Sequence, residues 1–360
     1  MNTSSCIYPE LIDLLQQYPD CVLATVVSTL GSTPQKAGSS ALIGPDGLLA
    51  GTVGGGITEL NVIQQSQILL KTKKSKLLSF ELHGEIAKGS ESICGGSMIL
   101  LLDALPGLHL PVFAQLKSSL AKGQKGVLIT LPDVSDPENM KITRDWISDG
   151  DQWPFTEELK ILIEPELSEM FRTPAYSGKL IPLRDMETCA EGFAFTERIL
   201  PKPFLFIAGA GHIGQSLAHL GHFLGFEVTV WDDRPDYADR NFIPDVDLVL
   251  SGTIDSISDQ IHIRDDSYLV IVTRGHKSDA DVLRRFIGSD AAYIGMIGSK
   301  AKVAQMRSAF LENNWATPEQ WNRINTPVGL DIGAQTVEEI AISIAAQLVQ
   351  LRNIKITGHE

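Results

Sequence analysis

The chain has 360 residues, a length that predicts two or more domains. Of these residues 43% are hydrophobic and 21% are charged, a balance that predicts a globular protein. Its net charge of −14 argues against a general nucleic-acid or anionic-membrane surface. The sequence shows no signal peptide and no apolar run long enough to span a membrane, so the cytoplasm is the expected compartment. The four cysteines form no C-x-x-C pattern, and we predict no metal site.

The first domain is expected to cover residues 1–200 and to have an α/β fold. Pro9–Tyr18 has helical apolar spacing, and Cys21–Leu30 is apolar and β-branched enough to be a buried strand. The polar loop Gly31–Ser40 follows and carries one cation, Lys36. The pattern predicts that this loop bears chemistry.

A triple glycine, Gly54-Gly55-Gly56, opens the next predicted helix, which has Glu59 in its first turn. Glycines at a helix N-terminus can hold an anion on their backbone N–H groups. They can equally form a close-packed turn from strand to helix. The residues alone leave both interpretations open.

Cys94 precedes Gly95-Gly96 between two predicted strands. Small residues around a thiol allow a ligand to meet both the sulfur and the backbone amides, which also favour the thiolate. A buried small residue in a turn is the alternative.

From about Ala104 the first domain is expected to be less regular, because proline and acidic residues increase. Strands are predicted near Val127–Leu131, Leu180–Leu183 and Gly192–Ile199, and a helix over Glu157–Phe171 that Pro165 interrupts.

A second domain, residues 201–360, is predicted to be a Rossmann-like parallel-sheet domain. The apolar run Phe204–Ala208 passes directly into a G-x-G-x-x-G turn with Gly209, Gly211 and Gly214, and a helix and strand follow. In such a unit the first glycine makes the turn, the second lets a pyrophosphate approach, and the third lets helix and strand pack closely.

The glycine turn has two further candidate ligand residues. His212 lies inside the turn, and Asp232 stands at the end of the next strand, where a carboxylate takes ribose hydroxyls. His219 and His222 are three residues apart on the predicted helix, but no third ligand lies nearby, so we interpret them as surface histidines.

Later strands end in further polar groups. Arg274 and His276 follow one strand, Gly298-Ser299-Lys300 follow another and open a basic helix, and Asp331 lies in a glycine-rich loop before the last helix. Ligands bind at the carboxyl edge of open α/β sheets, so these residues are candidates for cofactor binding. A helix N-cap with surface charges is the alternative at the Arg274 loop.

Taken together, these motifs resemble those of the xanthine dehydrogenase accessory protein family, XdhC/CoxI. The similarity covers most of the chain and fails mainly between about Pro106 and Glu191. It rests on Gly31-Ser32-Thr33-Pro34, the triple glycine with Glu59, Cys94-Gly95-Gly96, the Gly209 turn, Gly298-Ser299-Lys300 and Gly329–Gly333.

The resemblance implies a maturation factor for a molybdenum hydroxylase rather than a turnover enzyme. Such a factor binds molybdenum cofactor (molybdopterin), assists its sulfuration with a cysteine desulfurase, and delivers it to the apo molybdenum hydroxylase. Cys94 would then lie near the metal end, as a thiolate that carries or guides sulfur or as a ligand. Lys36, Arg274, Lys277 and Lys300 are the cations available to a phosphate tail.

Two positions depart from the pattern of the family, and two alternative functions stay open. Ile57 stands where relatives often carry Cys or His, and Arg274 stands where many carry His. The Rossmann fingerprint also fits an NAD(P)-dependent oxidoreductase or a nucleotide-binding regulatory protein. The oligomeric state is open between a monomer and a homodimer.

Overall fold

The computed structural model describes residues 7–82, 95–148, 153–172, 178–184 and 191–357. The fold divides into two compact units, and the division falls between Pro201 and Lys202. The N-terminal unit is a mixed α/β structure and the C-terminal unit is built on a parallel sheet. The predicted fold class is therefore confirmed.

The N-terminal unit begins with a five-stranded antiparallel sheet in the order β3-β2-β1-β5-β4. Its strands are β1 (Val22–Leu30), β2 (Ser40–Gly44), β3 (Gly47–Gly51), β4 (Lys76–Glu81) and β5 (Ser97–Asp103). Two helices accompany it, α1 (Tyr8–Gln17) and α2 (Gly56–Thr72). Successive residues of β1 are buried on opposite faces, because α2 packs on one face and α1 on the other. This explains why the first six residues of the strand, Val22–Val27, are all buried.

A second antiparallel sheet follows in the same unit, with the order β7-β6-β9-β8. Its elements are α3 (Leu110–Ala121), β6 (Gly126–Asp133), β7 (Lys141–Ser148), α4 (Glu157–Arg172), β8 (Gly178–Arg184) and β9 (Glu191–Ile199). The expectation of a less regular segment here was wrong. Helix α3 and strand β7 were missed, and Pro165 lies inside α4 without interrupting it.

The C-terminal unit has six parallel strands in the order β12-β11-β10-β13-β14-β15. They are β10 (Phe204–Ala208), β11 (Glu227–Asp232), β12 (Leu248–Ser251), β13 (Tyr268–Ile271), β14 (Tyr293–Met296) and β15 (Ile324–Asn325). Counted from β10, this is the strand order of the classic dinucleotide-binding fold.

Helices cover both faces of the parallel sheet. They are α5 (His212–Phe223), α6 (Ile254–Ile257), α7 (His276–Phe286), α8 (Lys300–Glu312), α9 (Pro318–Asn322) and α10 (Val337–Thr357). Helices α5 and α10 pack on one face, and the other four pack on the opposite face. The order of the strands reverses between β10 and β13, so the glycine turn after β10 lies at the switch point where ligands bind in this fold.

Candidate functional site

The loop that follows β1 contacts the Gly95-Gly96 segment backbone to backbone. Gly31 has φ +72°, and a Cβ added to it would lie 3.0 Å from the Gly95 carbonyl oxygen. A Cβ on Gly96 would lie 2.5 Å from the carbonyl oxygens of Leu30 and Ser32. Since real Cβ atoms do not approach this closely, both glycines are required for the two segments to meet.

The same loop also contacts the triple glycine. Gly54 has φ +129°, and a Cβ on it would lie 2.8 Å from Cγ of Pro34. The segment Gly31–Pro34 therefore contacts Gly54 and Gly95-Gly96 through its two ends. The structure brings together three motifs that are spread over more than sixty residues of the sequence.

Other glycines of these motifs are open rather than packed. Gly55 and Gly56 have φ of +65° and +53°, and no described residue has an atom within 4 Å of the place where either Cβ would be; within the described part of the chain the same holds for Gly95. Among the described residues, the amides of Gly55 and Gly56 have no hydrogen-bond acceptor. They precede or begin the 17-residue helix α2, so they present N–H groups and the positive end of the helix dipole.

Glu59 and Lys36 differ in how the structure uses them. The Glu59 carboxylate accepts a hydrogen bond of 2.8 Å from the Thr52 hydroxyl and lies 3.4 Å from the amide nitrogen of Val53. It therefore holds the chain that leads into the triple glycine. Lys36 is exposed, and so is Ile57, at 62%. Cys94 lies outside the described residues.

In the C-terminal unit, Gly209 and Gly214 are packed while Gly211 is open. Gly209 has φ +117°, and its Cβ would lie 2.5 Å from the Val272 carbonyl oxygen. A Cβ on Gly214 would lie 1.8 Å from the Gly209 carbonyl oxygen. Nothing lies within 4 Å of the corresponding place at Gly211, the N-cap of α5. Gly209 and Gly214 thus pack as predicted, and the approach of a pyrophosphate to the free space at Gly211 stays a prediction.

Asp232 is buried, with 3% of its surface exposed, and its carboxylate is bonded within the protein. Oδ2 accepts a hydrogen bond of 2.8 Å from the Ala210 amide in the glycine turn. Arg234 donates to both carboxylate oxygens, from Nε to Oδ1 at 2.8 Å and from Nη2 to Oδ2 at 3.0 Å. Burial raises the pKa of Asp232, but the hydrogen bonds from Arg234 and Ala210 outweigh it and leave the pKa below its usual value.

Arg234 was not singled out in the sequence. Its guanidinium carbon lies 3.7 Å from the centre of the Tyr237 ring, so the cation is stacked as well as paired. The available signal was its position two residues after Asp232, because an Asp side chain commonly accepts a hydrogen bond from the backbone two residues on, as it does here from the Arg234 amide at 3.0 Å.

The remaining candidates lie where β13 and β14 end. Arg274, His276, Ser299 and Lys300 are exposed, and Gly298 is partly exposed. Parallel strands bring their carboxyl ends to the same edge, so these residues border the edge that contains the glycine turn. His212, the first residue of α5, is also exposed there.

Two acids near this edge have different surroundings. Asp279 is buried, and its Oδ1 lies 2.5 Å from the Thr273 hydroxyl; burial raises its pKa. It therefore braces the loop that carries Arg274. Asp331 is exposed, in a loop whose Gly329 packs against Ser343 and donates to Gln347 Oε1 at 2.8 Å.

The described residues contain neither a membrane-spanning helix nor a group of metal ligands. No helix in them is long and apolar enough to cross a membrane. No three His, Cys, Asp or Glu side chains in them are grouped closely enough to hold a metal ion. His219 is exposed, and its Nδ1 lies 2.6 Å from Asp245 Oδ2.

Known proteins with similar sequences cover nearly the whole chain. It is 26% identical over 341 residues to a probable xanthine dehydrogenase subunit from Bacillus subtilis, covering 94% of this chain and 95% of that protein. It is 23% identical to the uncharacterized protein YqeB of Escherichia coli, covering 96% of this chain but only 46% of that longer protein.

A crystal structure of a xanthine dehydrogenase from Bacillus halodurans has the same fold. The TM-score is 0.76 at 24% identity, over 98% of both chains. Two family models match the sequence, the XdhC and CoxI family over residues 14–81 and the XdhC Rossmann domain over residues 205–348. The first segment contains the Gly31 loop and the triple glycine, and the second contains the glycine turn and Asp232. The chain therefore belongs to the XdhC/CoxI family.

Proposed function

We propose that this chain is a maturation factor for a molybdenum hydroxylase of the xanthine dehydrogenase type. It binds molybdenum cofactor as cargo, assists its sulfuration together with a cysteine desulfurase, and delivers it to the apoenzyme. Membership of the XdhC/CoxI family and the name of the Bacillus subtilis relative support the link to xanthine dehydrogenase.

The observation that carries the proposal is the meeting of the three glycine motifs in the N-terminal unit. Gly31–Pro34 packs on Gly54 and on Gly95-Gly96, while Gly55 and Gly56 have no atom of the described residues within 4 Å of the place of a Cβ. A packed turn needs only the first kind of glycine. Open glycines with free amides at the start of a long helix suit an anionic ligand that approaches the backbone.

The cargo fits the donors that this surface offers. Its phosphate would be held by the amides of Gly55 and Gly56, with Lys36 as the available cation, exposed on the loop whose Pro34 and Gln35 contact Gly54. Ile57 offers a hydrocarbon side chain beside these amides, at the position where the family resemblance implies that Cys or His is frequent. The cargo supplies the metal centre that the client enzyme uses, and the residues of this chain bind and deliver it.

We further propose that Cys94, the neighbour of Gly95 in the sequence, takes part in the sulfur step as a thiolate. The matched control is Cys21, which is buried and whose pKa is raised by burial to about 12, so its thiol is inert near neutral pH. The experiment measures activation of apo xanthine dehydrogenase by cofactor, a cysteine desulfurase and this chain.

The wild-type chain is expected to raise the yield of active, sulfurated client. Cys94→Ser should lose that gain while it still binds the cofactor, and Cys21→Ala should keep it. Full activation by Cys94→Ser would remove the sulfur role of the thiol. A wild-type chain that changes neither the yield nor the rate of activation would contradict the proposed function.

A further inference from the structure

The carboxylate of Asp232 is saturated by donors from its own chain. A carboxylate has about four positions at which it accepts hydrogen bonds, two on each oxygen. Oδ1 receives the backbone amide of Arg234 at 3.0 Å and its Nε at 2.8 Å. Oδ2 receives the Ala210 amide at 2.8 Å and Nη2 of Arg234 at 3.0 Å.

This arrangement bears on ligand choice because of where Asp232 stands. In the dinucleotide-binding fold, the acid that ends the second strand accepts hydrogen bonds from the 2′- and 3′-hydroxyls of the adenosine ribose. Asp232 ends β11, the second strand of the unit in sequence, and it is 3% exposed. A ribose would have to displace Arg234 before it found an acceptor.

Arg234 is held in place from its other side. The guanidinium stacks on Tyr237 with 3.7 Å between its carbon and the ring centre. The bidentate contact with a buried carboxylate raises the pKa of Arg234, so the cation does not leave by losing its proton. Displacing Arg234 would leave the buried carboxylate of Asp232 without its charged partner.

We infer that Arg234 is a specificity residue that occupies the ribose position of the C-terminal unit and excludes dinucleotides with a free adenosine 2′,3′-diol. Asp232 is then a positioning residue for the glycine turn, which it holds through the Ala210 amide. The unit keeps the phosphate-facing part of the fold, with open space at Gly211, and has lost the diol-binding part. This inference does not rest on the proposed function, because it concerns free nicotinamide dinucleotides and the C-terminal unit alone.

The test is a gain of binding in the full-length chain. NADH and NADPH are titrated against the wild type and Arg234→Ala, and binding is followed by cofactor fluorescence. Arg234→Ala frees the carboxylate, so its affinity for NADH should rise at least tenfold above that of the wild type. Its affinity for NADPH should not rise, because the 2′-phosphate removes the diol and is repelled by the freed carboxylate.

Two further variants make the result specific. Asp232→Asn in the Arg234→Ala background should abolish the gain, since the amide cannot replace the anionic acceptor. Asp236→Asn removes an exposed carboxylate on the same loop, and it should leave the binding of both dinucleotides unchanged. Thermal unfolding checks that each variant is folded, and Arg234→Met, which keeps an unbranched side chain against Tyr237, replaces Arg234→Ala if that variant does not fold.

Three results would overturn the inference. One is tight NADH binding by the wild type that is lost in Asp232→Asn. The second is an equal gain for NADH and NADPH in Arg234→Ala, which would mean that only space had been created. The third is a folded Arg234 variant with no gain for NADH.

Discussion

At the scale of single residues, the glycines of this chain divide into those that pack and those that face open space. Gly214 and Gly211 stand three positions apart in one turn and show both kinds. A methyl group at Gly214 would fall 1.8 Å from the Gly209 carbonyl oxygen, whereas one at Gly211 would meet nothing within 4 Å. Only the first glycine is explained by packing of the protein itself.

This difference predicts opposite outcomes for two alanine variants. Gly214→Ala should unfold or strongly destabilise the C-terminal unit, by about 3 kcal/mol or more, as for other severe overpacking. Gly211→Ala, with φ −70°, should keep its thermal stability within about 0.5 kcal/mol. Calorimetry on both variants checks the pair. A Gly211→Ala chain as unstable as Gly214→Ala would show that the open space is absent.

A buried acid gives a second prediction at this scale. Glu197 accepts a hydrogen bond of 2.8 Å from Tyr8 Oη, and burial raises its pKa to about 7. The folded chain therefore holds a proton that the unfolded chain releases near pH 4.5. The stability that this group contributes is complete below that pH and is lost as the pH rises towards 7.

The matching experiment compares the wild type with Glu197→Gln between pH 4.5 and 8. The stability difference should shift in favour of Glu197→Gln by on the order of 2–3 kcal/mol as the pH rises. The difference in stability between the two chains is the quantity to measure, because His109 makes the stability of both chains change with pH in the opposite direction. Its pKa is lowered by burial and by Arg144 to about 4, so its contribution is lost as the pH falls. A difference that does not change with pH would contradict the assignment.

At the scale of secondary structure, helix α4 shows why the sequence was misinterpreted. Pro165 is exposed, while Ile163, Leu167 and Met170 at helical spacing are buried in one cluster. Packing of that face holds the helix together through the proline, although proline removes a backbone donor and disfavours a helix interior. Similarly, Pro111 marks the start of α3 and not a break, as proline commonly does in the first turn.

Removal of this proline should stabilise the N-terminal unit. Pro165→Ala restores a backbone donor on an exposed face, so the free energy of unfolding should rise by about 1–3 kcal/mol. Denaturant unfolding measures the change, and Glu164→Ala serves as a control at the neighbouring exposed position. A less stable Pro165→Ala chain would mean that the helix needs the bend.

Much of the site could be predicted from local patterns, and the rest required contacts across the chain. The strand, glycine turn and helix around Gly209 were correct because each signal lies within a few residues. The hydrogen bonding of Asp232 within the protein could not be predicted in this way, because the partner Ala210 lies 22 positions away. The meeting of Gly31, Gly54 and Gly96 likewise depends on sheet topology and not on spacing.

At the scale of the whole molecule, two units of different architecture each present open glycines at the start of a helix. In the N-terminal unit these are Gly55 and Gly56, and in the C-terminal unit it is Gly211. Asp232 and Arg234 close the ribose position in the second unit. This arrangement suits a protein that holds a phosphate-bearing ligand better than one that turns over NAD, which has a free adenosine diol.

The measurement that tests this account most directly is anaerobic binding of molybdenum cofactor, released from a donor enzyme, to the full-length chain. Gly55→Ala is compared with Gly47→Ala, since both glycines have positive φ and open space but Gly47 lies in the hairpin between β2 and β3. Both variants place an alanine at a positive φ, where backbone strain costs on the order of 1–3 kcal/mol. We predict near-stoichiometric binding to the wild type and to Gly47→Ala, and at least tenfold weaker binding to Gly55→Ala. No binding to the wild type, or equal binding to both variants, would contradict the account.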